Sequence, residues 1–194
     1  MCQHKILVLI SGPHASGKST IAAAVAERLG LRYVSAGEIF RRKAAEHGMD
    51  VVEFTKYVER HPEVDYEIDN TMLEEMRKGN AVVDSQLAYF FAKKISDPRT
   101  IKISILIYAS FEERVRRLMR REGISKDEAE RQIRTRERSE KERFRRLYGV
   151  EIWSIDDFDA IVNTTNLSKE DAISVCLAII RKLIEARGGR HHKV

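Results

Sequence analysis

The chain has 194 residues, 43% of them apolar and 34% charged, with a net charge of +5. That length suits one well-packed domain, and the composition is that of a globular protein with a heavily charged surface. No stretch approaches the roughly 18 uninterrupted apolar residues of a membrane span, and Cys2 and Cys176 have neither CxxC nor metal-ligand spacing, so the cytoplasm is the expected compartment.

The start, MCQHKILVLI, lacks the h-region and cleavage site of a signal peptide and reads as a strand over Ile6–Ile10. The loop Gly12, Pro13, His14, Ala15, Ser16, Gly17, Lys18, Ser19 follows, and it fits G-x-x-x-x-G-K-[ST] in full. IAAAVAERL then gives a helix over 19–29, stopped by Gly30. In this strand-loop-helix setting the glycines let successive N–H groups turn inward and the helix adds its positive end. Lys18 can reach β- and γ-phosphate oxygens, the Ser19 hydroxyl can ligate Mg²⁺, and Thr20 offers a second hydroxyl. A bound nucleoside triphosphate with Mg²⁺ is therefore expected, as a switch, motor, pump or kinase could all use it.

Further on, the pattern predicts a short strand at 32–34, helices over 39–47, 51–58 and 65–78, and a strand at 81–83 stopping at Asp84. IKISILIY (101–108) is the strongest strand signal in the chain. Ser110 with Glu113, and Ser125 with Glu128, mark the starts of two polar helices joined at Gly123. A last strand at 160–162 precedes an amphipathic helix over 172–186, opened by Ser168 with Asp171. Strands alternating with helices argue for one α/β domain with a parallel sheet of about five strands.

Twelve arginines between Arg114 and Arg146 concentrate the positive charge, as a cationic flap over phosphoryl groups requires. Arg136 and Arg143 stand two turns apart and share a face; Arg117 and Arg120 are placed to meet the other end of a phosphate chain. Ile133, Phe144 and Leu147 are too few to dock the second helix firmly. Trp153 and Tyr148 read as packing residues at its hinge. Glu137, Glu140 and Glu142 interleave with the arginines, so most of these pairs belong to a salt-bridged helix.

The stretches SAGEIFR, HPEVDYEID, RSEKERFRRLYGVE and FDAIVNTTNLSKE, together with the loop, resemble the P-loop nucleoside monophosphate kinases, and most closely the archaeal-type cytidylate (CMP/dCMP) kinases. The resemblance covers most of the chain. It implies a three-layer α/β/α fold over 1–187, a monophosphate-binding insert at about 36–78, an arginine-rich lid at about 113–150, and a tail at 188–194. It implies transfer of the γ-phosphoryl group of MgATP to CMP or dCMP. Lys18, Arg120, Arg136 and Arg143 match the catalytic cations, with Arg121 an alternative to Arg120. Arg41, with Ser35 and Gly37, matches the grip on the acceptor phosphate, and Asp65 and Asp69 match groups holding the acceptor base or sugar.

After the strand AVV this family has a Gly-Arg pair, whereas this chain has Asp84-Ser85-Gln86. Gln86 can bond a base edge but cannot neutralise phosphate, and Asp84 is placed to anchor Mg²⁺. The changed residue leaves an adenylate-kinase-like or other small-molecule kinase as the alternative, and the basic helices leave an RNA-associated ATPase switch as a third. A monomer acting on small nucleotides, with no membrane or nucleic-acid partner, is expected.

Overall fold

The computed structural model describes residues 4–188; Cys2 and the tail beyond Gly188 lie outside them. Five strands form one sheet: β1 (Lys5–Ser11), β2 (Arg32–Ser35), β3 (Ala81–Asp84), β4 (Thr100–Tyr108) and β5 (Ala160–Asn163). Their order is β2-β3-β1-β4-β5 and all pairings are parallel. Among the described residues there are also eight helices: α1 (Lys18–Leu29), α2 (Ala36–Glu46), α3 (Val51–Arg60), α4 (Pro62–Arg77), α5 (Ala88–Ala92), α6 (Phe111–Glu122), α7 (Lys126–Tyr148) and α8 (Lys169–Gly188). A single 3-10 turn lies at Ile155–Asp157.

Alternation along the strands builds two cores. Leu7, Leu9 and Val83 face a layer containing Phe54, Met72, Met76, Leu87, Phe91 and Phe144. Val8, Ile10, Val82, Ile103, Ile105 and Ile107 face the other layer, filled by α1 and α8 through Ile21, Val25, Ile173 and Cys176. Successive strand side chains point to opposite faces, so a run such as LVLI must be apolar throughout when both faces are covered. The three-layer expectation is met.

Three local findings depart from the sequence reading. α4 begins at Pro62 rather than Asp65, because proline at the first helical position loses no hydrogen bond and has φ already set. α7 is well docked. Ala129 and Ile133 close a small core with Val115 and Leu118 of α6, and Phe144 joins the main core. Three residues spread over about four turns anchor a 23-residue helix whose other faces stay charged. The five-residue α5 was not expected, since AYFFA is too short to show a period.

The sheet order places the site. β1 ends in the phosphate loop, β2 ends at the start of α2, and β3 lies between them with Ile10, Asp84 and Ser35 in register. At a strand spacing of about 4.8 Å the two carboxyl ends are roughly 10 Å apart. A crevice at the carboxyl edge of a parallel sheet is where α/β folds bind ligands.

Candidate active site

The phosphate loop can be made only with glycine at its first position. Gly12 has φ +153°, and a Cβ there would come within 2.1 Å of the Ile107 carbonyl oxygen of β4. Gly17, at φ +95°, opens α1 in the left-handed region. Ser16 N–H closes a turn on the Pro13 carbonyl at 3.2 Å. Lys18 is half-buried and has no hydrogen-bond or ion-pair partner among the described residues, while Ser19 and Thr20 are exposed.

The loop's carbonyls are held from behind by α6. Arg117 donates to Ser16 O at 2.8 Å, to Thr164 O at 2.7 Å and to Thr164 Oγ1 at 3.1 Å, with Glu113 steadying its Nε at 3.0 Å. Thr164 Oγ1 also donates to Ser16 O, at 3.1 Å. Arg114, only 7% exposed, donates to His14 O, to Ala109 O and to Glu137. These guanidiniums fix the loop's C=O groups on its outer side. Arg117 is thus a scaffold for the loop and its donors are already taken, contrary to the expectation that it faces a phosphate chain.

On the acceptor side, Ser35 caps α2 by accepting from Glu38 N–H at 3.3 Å. Arg41, one turn further, lies over Gly37, where a Cβ would stand 3.4 Å from its Nη1. Arg41 is exposed and has no partner among the described residues, so its fork is available to an anion. Asp84, at the end of β3, accepts from Tyr33 OH at 3.0 Å through Oδ2. Its Oδ1 is buried with no hydrogen-bond partner among the described residues. Burial and the neighbouring Asp84 push the Tyr33 hydroxyl up to about 12.

α4 presents its acidic face to α7. Asp65 Oδ2 lies 3.1 Å from Arg143 Nε, both largely buried, and Asp69 accepts from Tyr148 OH. Burial raises both carboxyls; for Asp69 it outweighs the Tyr148 bond and pushes the group up to about 6. Tyr148 packs against Phe90, Phe91 and Tyr66. Arg136 and Arg143 do share a face of α7, yet they differ in engagement. Arg143 meets the acidic face of α4, while Arg136 is exposed, as is Arg120 on α6.

Gln86 is buried and fully engaged. It accepts from Trp153 Nε1 at 2.9 Å and donates to Glu140 at 3.2 Å, while Ser11 Oγ reaches its carbonyls. The arrangement holds it among protein groups, where a base edge was expected. Arg114, Arg117, Thr164, Glu137 and Glu140 were not named for these roles beforehand. The arginines' i, i+3 spacing just after the strongest strand was the one available signal.

A phosphate-binding loop at the end of a central parallel strand, facing an arginine across the sheet's carboxyl edge, defines a P-loop kinase fold. Solved structures agree. The chain superposes on a gluconokinase from Sinorhizobium meliloti (TM-score 0.58, 12% identity, 97% of this chain and 98% of that one) and on a shikimate kinase from Acinetobacter baumannii (TM-score 0.57, 17% identity, 92% and 94%).

Sequence comparison narrows the class. The chain belongs to the cytidylate kinase-like family, whose family model matches residues 7–166. It is 41% identical over 167 residues to a cytidylate kinase of Ignicoccus hospitalis, covering 86% of this chain and 94% of that protein. It is 37% identical over 183 residues to a cytidylate kinase of Pyrococcus horikoshii, covering 94% and 92%. No described helix is long and apolar enough to cross a membrane.

Proposed function

We propose that this protein transfers the γ-phosphoryl group of MgATP to CMP or dCMP, releasing ADP and the nucleoside diphosphate. The observation that carries the reading is a pair of cations, Lys18 and Arg41, with no hydrogen-bond or ion-pair partner among the described residues, on segments that leave the sheet two strands apart at one edge. Strand ends roughly 10 Å apart leave room for an acceptor phosphate beside a γ-phosphate. The relatives, which are cytidylate kinases, supply the acceptor.

Lys18 neutralises the β- and γ-oxygens, and the loop's N–H groups orient the triphosphate. Arg41, with Ser35 and Gly37 beneath it, grips the acceptor phosphate, which is itself the anionic nucleophile. Neither a covalent intermediate nor a dedicated base is required. Arg120 and Arg136 are the lid cations able to stabilise charge on the moving group. Arg143 and Asp65 lie on the acceptor's base side together with Asp69, whose carboxylate can accept from an exocyclic amino group. Ser19 and Asp84 fit a Mg²⁺ site, the Asp84 Oδ1 supplying the unmatched acceptor; such an ion takes most of its ligands from phosphates and water. The segments α2–α4 serve as the monophosphate-binding insert and α6–α7 as the lid, in one domain that works as a monomer.

A coupled assay with MgATP across CMP, dCMP, UMP, AMP and GMP tests this. ADP formation dependent on CMP or dCMP is expected. A preference for AMP would move the chain to the adenylate-kinase alternative, and slow hydrolysis indifferent to every monophosphate would refute the kinase reading.

A further inference from the structure

Two acidic residues of α7 that the proposed reaction does not use lie on the phosphate loop. Glu137 Oε1 accepts from the His14 backbone N–H at 3.1 Å and from Arg114 Nη1 at 2.5 Å. Glu140, one turn on, places Oε2 2.9 Å from His14 Nε2 and accepts from Gln86 Nε2 at 3.2 Å. Burial by itself would raise the Glu140 carboxyl; His14, Lys18 and Arg136 outweigh it and bring the group down to about 2. One carboxylate therefore takes a main-chain donor of the loop, and the other sits in the combined field of His14 and Lys18. These are the same kinds of group that a triphosphate would use there.

The second carboxylate is tied to the body of the protein through Gln86. The Gln86 Oε1 accepts from Trp153 Nε1, which fixes which end of the amide faces Glu140. Trp153 adopts φ +68°, a conformation bulky residues rarely hold unless their surroundings impose it. Lys141 of α7 covers its ring at 5.1 Å. Trp153 thus touches the lid helix and the Gln86 amide together.

We propose that Glu140 is a positioning residue that seats the lid on the phosphate loop by standing in for a phosphate group, and that a triphosphate loads by exchanging its oxygens for the carboxylates of Glu137 and Glu140. The proposal rests on the loop being a nucleotide site. Carboxylate and phosphoryl oxygens repel at hydrogen-bond range and cannot share the same donors. Binding therefore moves the inner face of α7 away from His14, breaks the Gln86–Glu140 bond and changes the surroundings of Trp153. The seated state lowers the apparent affinity for triphosphate by the fraction of molecules that hold it.

Trp153 is the only tryptophan in the chain, so its emission reads the exchange directly. Wild type, Glu140→Gln and Glu140→Asp are titrated with MgATP and, separately, with inorganic tripolyphosphate, without acceptor. Glu140→Gln is expected to bind both probes about tenfold more tightly, equivalent to ~1.4 kcal/mol. Its emission before titration should already lie toward the ligand-saturated wild-type value. Glu140→Asp, which keeps the charge, should stay within about threefold of wild type. Equal or weaker binding by a well-folded Glu140→Gln overturns the proposal. So does saturation of the wild type, measured by calorimetry, with no change in Trp153 emission, a result that needs no variant. If the wild type binds neither probe, the phosphate-loop assignment falls and this proposal falls with it.

Discussion

The two halves of the crevice are held in opposite ways. Around the phosphate loop, buried guanidiniums donate to main-chain carbonyls, as Arg117 does to Ser16 O and Thr164 O and Arg114 does to His14 O and Ala109 O. Such a bond sets a guanidinium charge against a main-chain dipole. Across the crevice, α4 meets α7 through carboxylates: Asp65 against Arg143, and Asp69 under Tyr148. Burial has moved these acids upward, Asp69 to about 6. The back of the donor half, behind the loop, is accordingly a fixed frame, and the acceptor half is a joint whose strength depends on protonation.

The difference can be broken at its centre first. Lys18→Ala should reduce kcat/KM by at least about 10³, near 4 kcal/mol of transition-state stabilisation, while the urea midpoint stays at the wild-type value. A variant turning over at near-normal rate would remove the frame's assigned purpose. Arg114→Ala should cost the fold about 3 kcal/mol, since it strands Glu137 and two carbonyls in a buried place. That loss is read from urea melts of the variant against wild type.

Arg41→Ala tests the other side. KM for the monophosphate should rise about 30-fold, near 2 kcal/mol, with KM for ATP little changed. If ATP binding alone suffered, the two halves would have been assigned the wrong way round. The smallest effect sharpens the contrast most. Asp69 has a folded pKa of about 6, above its ordinary 3.8. Its protonated form is favoured in the native state, so its contribution is greatest at low pH. It should fade as pH rises from about 4 to 6, by roughly 1–2 kcal/mol after allowance for partial exposure. Asp69→Asn should flatten that slope in melts collected across the range; a slope that survives the substitution points to another group.

Legibility in the sequence follows the same division. The loop could be read because its chemistry is local: a strand, two glycines, a lysine and a helix start within 14 consecutive residues. The sheet could be read because a strand buried on both faces must be apolar throughout. What stayed hidden depends on contacts between distant segments. The spacing of Arg136 and Arg143 fixed their shared face but not what lay opposite, and for Arg143 that proved to be Asp65 of α4. Gln86 was read for its hydrogen-bonding capacity, which Trp153, Ser11 and Glu140 already use. Thr164 carries no sequence signal that separates it from Thr165 beside it, yet only the first bonds the loop carbonyl Ser16 O.

The strand order also governs how the molecule can be assembled. β1 is made early, yet its partners are β3 and β4, so Leu7 waits for Ala81 and Lys5 for Thr100. Until β4 has left the ribosome, one edge of the loop-bearing strand has no neighbour, and the Ile107 carbonyl that abuts Gly12 does not yet exist. An N-terminal fragment ending before β4 would carry the whole glycine-rich motif and still lack the wall that shapes it. During synthesis, competence to hold a phosphate chain therefore arrives late and all at once, with pairings distant enough in sequence to make folding slow for a chain of this size.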